Sequence, residues 1–188
     1  MKSIQILLFS LLLMNCRNSN AEIDAVISEV IKYDSLSILK NDSVALFHSL
    51  KKFNLSSYDD NKGKAIIVPL PGQRVFIENL LFMSVDKKKL FFTKKDSLFI
   101  REQTQSKAKI SIPETFEKKT FITSDSLIYK KQHVEYYEIL EPIFSKDKLK
   151  AYTEINYRKK DFGCGFALLM EKINGKWKII QTRPTWIN

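Results

Sequence analysis

Asn174-Gly175 separates two apolar-rich runs, Phe166 to Ile173 and Lys176 to Thr182. A two-residue type I′ turn needs positive φ at both central positions, which Asn and Gly tolerate, so this pair is the strongest short-range hairpin signal a sequence carries. Centring the turn there sets Glu171 opposite Lys178 and Met170 opposite Ile179. Upstream, Leu149, Ala151, Thr153, Ile155 and Tyr157 alternate with Lys150, Tyr152, Glu154, Asn156 and Arg158, the period-2 pattern of a half-buried strand. From His133 to Thr182 the chain therefore reads as an antiparallel meander.

The preceding segment reads differently. Ile23, Val26, Ile27, Val30 and Ile31 recur at helical spacing with polar residues between them, which predicts an amphipathic helix. Asn41-Asp42-Ser43 before Val44, Phe47 and Leu50 predicts a second, shorter helix. Tyr58 to Gly63 and Pro69-Leu70-Pro71-Gly72 read as turns around a short strand, Ala65 to Val68. Thr93-Lys94-Lys95-Asp96 resembles a capping box leading into a helix from Leu98 to Gln103. Ser111-Ile112-Pro113 is a break, and Thr120 to Thr123 a candidate strand. Helices first and strands afterwards imply an α+β domain, with N-terminal helices packed on a curved antiparallel sheet that ends in a β-meander.

The first residues carry an address. Met1-Lys2 is positive, Ile4 to Met14 is almost unbroken in its apolarity, and Asn15 to Asn20 is abruptly polar, the order of a secretory signal. The apolar run is shorter than the roughly 17 residues a membrane span needs, and no later segment approaches that length. Leu13-Met14-Asn15-Cys16 resembles the Leu-x-small-Cys box of bacterial lipoproteins, with Asn15 as the departure. A competing cut follows Ser19-Asn20-Ala21 and would leave a soluble periplasmic or secreted protein. Lipidation at Cys16 is the favoured reading, because the apolar run stops just before it. The division is then 1–15 signal peptide, 16–21 lipidated tether and 22–188 one domain, anchored to the membrane of a bacterial cell envelope. More than one acyl chain on Cys16 makes such attachment stable, at about 0.8 kcal/mol per buried CH₂.

A formal net charge of +10 is spread over short runs such as Lys87-Lys88-Lys89 and Arg158-Lys159-Lys160. These are solvated faces first, and a means of attracting anionic headgroups or envelope polymers second. Nucleic acid is not an expected partner, since no basic-aromatic motif is present.

Pro142 to Asp147, Lys150-Ala151-Tyr152, Gly163-Cys164-Gly165-Phe166, Glu171 to Ile180 and the ending Trp186-Ile187 resemble the tails of lipoproteins from Bacteroidetes-type bacteria. The Asn-Gly-Lys-Trp-Lys hairpin is also similar to the closing strands of nuclear-transport-factor-2-like and cystatin-like cones. The resemblance covers residues 142–188 and implies a fold, with no catalytic residues attached to it. Chains of this kind carry a second cysteine near Cys164, and its absence here weakens a redox reading.

Catalytic chemistry is thinly supplied. His48 and His133 belong to no ligand-spaced cluster. Asp59-Asp60-Asn61-Lys62-Gly63 has its glycine one position early for a calcium loop, and Leu70 stands where a bidentate Glu is needed. There is no nucleophile elbow, phosphate loop or zinc-helix motif, and no cofactor or metal is implied. With Cys16 acylated or removed, Cys164 is the single thiol, more simply a structural residue than a reactive one; its glycine neighbours permit close approach of backbone or ligand.

A turn at Ser145 to Lys148 would pair Phe144 with Leu149, Leu140 with Thr153, Glu138 with Ile155 and Tyr136 with Tyr157. Glu138 would then point toward the helices, in a pocket with Tyr136, Thr153 and Tyr157, or else be turned outward by a bulge or satisfied as an acid at the sheet end. Three functions compete. The leading one is a non-catalytic lipoprotein that binds a small ligand, an anionic envelope polymer or a partner protein. The others are a cone-fold enzyme with a carboxylate buried among tyrosines, and an immunity or inhibitor protein.

Overall fold

A computed structural model describes residues 20–33, 36, 38–39, 44–57, 75–86, 89–105, 108–116, 121–122 and 135–188. Cys16 and the expected strand at Ala65 to Val68 lie outside them. The fold is mixed α/β, with few helices and one large, mostly antiparallel sheet.

Helix α1 covers residues 20–32. Its apolar stripe is its buried face: Val26, Ile27, Val30 and Ile31 are fully shielded. The strands follow as β1 (Ala45–Phe47), β2 (Leu55–Ser56), β3 (Val75–Phe76), β4 (Ser84–Asp86), β5 (Lys89–Leu90), β6 (Phe121–Ile122), β7 (Tyr136–Ile139), β8 (Ile143–Phe144), β9 (Lys150–Lys159), β10 (Phe162–Ile173) and β11 (Lys176–Ile187). Helix α2 (Ile77–Phe82) follows β3 directly, and α3 (Ser97–Gln105) follows β5. The main sheet runs β11-β10-β9-β7-β1-β6, with β8 also pairing β9.

The expected second helix is instead β1. Val44 to Phe47 are all buried, and β1 lies between β7 and β6 with parallel pairing on both sides. Interior parallel strands are covered on both faces and read as unbroken apolar runs, so the spacing that suggested a helix was a run of core residues. The capping box does form: the Asp96 carboxylate accepts the Thr93 N–H and hydroxyl, both at 2.8 Å, and the same carboxylate takes the Lys146 N–H at 2.8 Å. Burial alone would raise the Asp96 pKa, but these donors together outweigh it and hold the acid below its usual range. The start of α3 is thereby tied to the turn before β9.

Both faces of the sheet are buried. One carries Ile139, Phe144, Ala151, Ile155, Leu168, Met170 and Trp177 in a core with the stripe of α1. The other carries Leu140, Ile143, Tyr152, Ala167 and Leu169 in a core with Ile77, Leu80, Phe91, Phe92 and Ile100 from the 75–105 segment.

The Asn174-Gly175 hairpin forms with the expected register, Met170 opposite Ile179 and Glu171 opposite Lys178. Both turn residues have positive φ, 51° and 76°. The hairpin before β9 differs. Ser145 donates its N–H to Lys150 O at 3.0 Å, and Lys148 takes φ 55°, so the loop is wider and Phe144 faces Ala151. Leu140 N–H still reaches Glu154 O, at 2.9 Å, while Ile143 pairs Tyr152. Glu141 and Pro142 are therefore opposed to Thr153 alone, a bulge at a proline that has no N–H to give. Beyond it the register moves by one, and every β7 side chain changes face relative to the expectation.

Candidate functional site

A cleft of about 440 Å³ opens between the start of α1, the end of α3, the 108–111 segment and the β7–β8 connection. Its walls are fixed by backbone pairing. Leu50 donates to Ile110 O at 2.9 Å and Ile112 to His48 O at 2.8 Å, which pins the 108–111 segment. Gln103 clasps β8 as a strand would, its Nε2 donating to Phe144 O and its Oε1 accepting the Phe144 N–H, each at 2.9 Å. Glu22 holds the start of α1 to the sheet, accepting from Lys172 Nζ at 2.5 Å and Trp177 Nε1 at 2.9 Å. Burial would raise the Glu22 pKa; the two donors outweigh it and keep the carboxylate ionised below its usual range. Asp24, Lys52, Lys109 and Glu141 bring both signs of charge to the cleft, and Thr104 and Ser111 neutral hydroxyls. Lys52 and Glu141 pair at 3.1 Å across its rim. Such a lining offers hydrogen bonds and weak, screened charge rather than one strong field.

None of the four residues expected to form a pocket lines this cleft, and the corrected register separates them. Tyr136 faces Arg158 and Glu138 faces Asn156, where Ile155 had been expected opposite Glu138. Glu138 is paired with Arg158 at 3.5 Å and Lys51 at 3.8 Å, on the face away from α1. Thr153 and Tyr157 belong to the face toward α1. Thr153 is fully buried and donates to Leu140 O at 2.6 Å. Tyr157 donates to Glu135 at 2.6 Å, and that bond, ahead of burial, pushes its hydroxyl up to about 12.

The polar alternation of β9 is not a solvated face. Tyr152, Glu154 and Asn156 are 2%, 3% and 2% exposed. Glu154 accepts from the Tyr152 hydroxyl at 2.5 Å, and burial, only partly offset by that bond, raises the Glu154 pKa. Burial and the adjacent Glu154 drive the Tyr152 hydroxyl up in turn. Glu154, Ala167 and Arg183 are opposed across β9, β10 and β11, and Arg183 turns its guanidinium to Ser84 O and to Gln181 Oε1. The period-2 pattern could not reveal this acid, because the residues that cover it come from the distant 75–105 segment. Tyr152 two positions before an acid on one strand face was the available signal. The Tyr152 ring lies 5.6 Å from Phe53, which lines the cleft and also a second cavity of about 220 Å³ beside α3.

Gly163 and Gly165 have a structural occupant. The Trp186 indole lies on their backbone, where a Cβ at Gly165 would meet Nε1 at 2.1 Å. Trp186 Nε1 donates to buried Asn156 at 2.8 Å, and Arg158 sits 4.6 Å from the ring. Cys164 is a half-buried free thiol on the opposite face, its pKa raised by burial. Among the described residues no three His, Cys, Asp or Glu side chains gather as metal ligands, and no helix is long and apolar enough to cross a membrane. Compared with protein families, curated proteins and solved structures, the chain matches none.

Proposed function

We propose that this is an exported envelope protein, anchored through acylated Cys16, whose domain binds a small ligand or a partner protein in the cleft beside α1 without transforming it. One observation carries the reading: Asn20, Ile23 and Asp24 form a wall of the cleft, and Asn20 follows Cys16 by four residues. At about 3.5 Å per residue the tether reaches no more than roughly 14 Å, so a cleft so placed works at the membrane surface. The positive chain adds attraction to anionic headgroups or polymers. Ala21 lies inside α1, so the competing cut would remove Asn20 and Ala21 from the start of that helix, whereas processing at Cys16 keeps both.

The fold reading that belongs to this proposal is a curved sheet with N-terminal helical cover, as in nuclear-transport-factor-2-like and cystatin-like cones. The core shared by α1 and the meander supports it; the parallel insertion of β1 between β7 and β6 is a departure. Glu154 with Tyr152 is the carboxylate and tyrosine an enzyme of this kind would use. Neither residue lines the cleft, where Phe53 stands at the wall, and binding is therefore preferred to catalysis.

Ala108 and Lys109 are exposed at the cleft and suit a blocking test. Isolated from its own membranes and analysed by native mass spectrometry, the wild type should retain a bound molecule or partner, and Ala108→Trp should retain about tenfold less, a change of about 1.4 kcal/mol. Equal retention by both, or a bare wild type, would overturn the cleft.

A further inference from the structure

We propose that Glu154 is a proton-binding site that sets the shape of the cleft, so that ligand capture responds to the acidity of the surroundings. The role in capture rests on the cleft being a binding site; the coupling between Glu154 and the cleft wall does not.

The geometry forms a short chain of contacts. Glu154 and Tyr152 project from one face of β9, 3% and 2% exposed, and share a hydrogen bond of 2.5 Å. The Tyr152 ring packs at 5.6 Å on Phe53, itself 6% exposed. Phe53 and Thr104 are common to the walls of the 440 Å³ cleft and the 220 Å³ cavity, so Phe53 divides one space from the other. One aromatic side chain, Tyr152, stands between the buried carboxyl and the Phe53 partition.

The charged surroundings of Glu154 are sparse. Its own strand supplies Tyr152 and, two rows along the face in either direction, Lys150, which donates to Phe91 O at 2.6 Å, and Arg158, which pairs with Glu138. From β10 the opposed residue is Ala167. From β11 it is Arg183, engaged with Ser84 and Gln181. From β7 the same face brings Glu138, paired with Arg158 and with Lys51. The covering 75–105 segment contributes Ile77, Leu80, Phe91, Phe92 and Ile100 to this core. Of its charged residues, Glu78 accepts from Ser57, and Arg101 borders the smaller cavity.

A neutral carboxyl is content with one tyrosine partner in such a site. A carboxylate is not, since a buried charge needs several donors or a cation. On losing its proton Glu154 must admit water, or draw Arg183 across the small Ala167 and away from Ser84 and Gln181. Either change moves the Tyr152 hydroxyl, and the packed ring pair carries the movement to Phe53, because close-packed aromatic cores shift as units. The raised pKa of Glu154 places the change above the ordinary carboxylate range.

The test uses the folded mature chain and no ligand. Side-chain carboxyl ¹³C signals are followed by NMR across pH, with Glu154 assigned by its loss in Glu154→Gln, together with the Phe53 ring and the Thr104 and Ser56 amides. The Phe53, Thr104 and Ser56 signals, from the partition and the smaller cavity beside it, should move with the Glu154 midpoint and stay still in Glu154→Gln. Tyr152→Phe, which removes the hydroxyl that joins the carboxyl to the ring, should raise the Glu154 midpoint and leave Phe53, Thr104 and Ser56 still. A wild-type Glu154 that titrates while Phe53, Thr104 and Ser56 do not follow would overturn the coupling, as would a midpoint in the ordinary carboxylate range. Should Glu154→Gln not fold, the match of midpoints in the wild type and its loss in Tyr152→Phe decide, and a mismatch in the wild type overturns the coupling. A failed blocking experiment at Ala108 would leave this result intact, so the two readings fail separately.

Discussion

Replacing Gly165 by alanine adds one methyl group to the chain and should cost far more than a methyl group usually does. The backbone at Gly165 is not in the positive-φ region, so alanine meets no conformational penalty there. The penalty is steric: the new Cβ would lie 2.1 Å from Trp186 Nε1 and 2.5 Å from its Cδ1. An indole is rigid, so it must lift as a body. Lifting it breaks the 2.8 Å bond to Asn156 and leaves that carboxamide oxygen, in a side chain only 2% exposed, without its donor. An orphaned buried polar group costs about 1–3 kcal/mol. The displaced ring also leaves Arg158, a contact worth about 0.5–1 kcal/mol. Strain in the crowded strand adds about 1–3 kcal/mol where the ring cannot move far enough. The expected destabilisation is therefore about 1.5–4 kcal/mol where the ring lifts clear and up to about 7 kcal/mol where strain is added, measured by urea unfolding followed through far-ultraviolet circular dichroism. Trp186→Ala removes the obstacle, so the Gly165→Ala and Trp186→Ala double variant should be less destabilised than the two single variants summed, by about 2 kcal/mol. A Gly165→Ala protein within about 0.5 kcal/mol of the wild type, or strict additivity in the cycle, would refute the packing of Trp186 on the glycines.

Gly175→Ala should behave in the opposite way: nothing lies within 4 Å of its added Cβ, and the φ of 76° alone sets a cost of about 1–2 kcal/mol that no partner substitution relieves. Glu154 should also make stability depend on pH. Its folded pKa is raised, so its contribution is fully present below the ordinary value of 4.5 and is lost as pH rises through the folded pKa, at up to about 1.4 kcal/mol per pH unit in between. Glu154→Gln should flatten the stability profile above pH 4.5, and parallel profiles for the two proteins would contradict the burial of a titrating acid. Asp96 and Glu22 have lowered pKa values and act in the other sense, losing stability as pH falls below their ordinary 3.8 and 4.5, so Asp96→Asn should reduce the acid-side decline seen in unfolding curves.

Local chemistry was legible and register at a distance was not. Asn174-Gly175 specified its hairpin to the residue, because both positive φ values are demanded by the turn itself. Thr93 and Asp96 marked the start of a helix for the same reason, their bonds reaching only three positions. The hairpin at Ser145 gave no comparable cue: Lys148 adopts positive φ without being Gly or Asn, and Glu141-Pro142 shifts the strand by one. That single shift sent Glu138 away from α1 and parted it from Tyr157 and Thr153. The polar side of β9 looked solvated because a strand pattern records polarity, whereas burial of Glu154 depends on residues 75–105 folding over that face and burial of Asn156 on the Trp186 indole that donates to it. The cleft draws on four separated segments, around positions 20–24, 52–53, 103–111 and 141–144, a convergence no local pattern encodes.

The mass of the mature N-terminal peptide, taken from protein expressed in a Gram-negative host and extracted from its membranes, tests the anchored-binder proposal most directly. A chain beginning at Cys16 and carrying acyl chains, with Cys16→Ser accumulating as uncleaved precursor that lacks the acyl mass, is the predicted result. A mature chain beginning at Glu22 with no acyl mass, recovered in the soluble fraction, would contradict it.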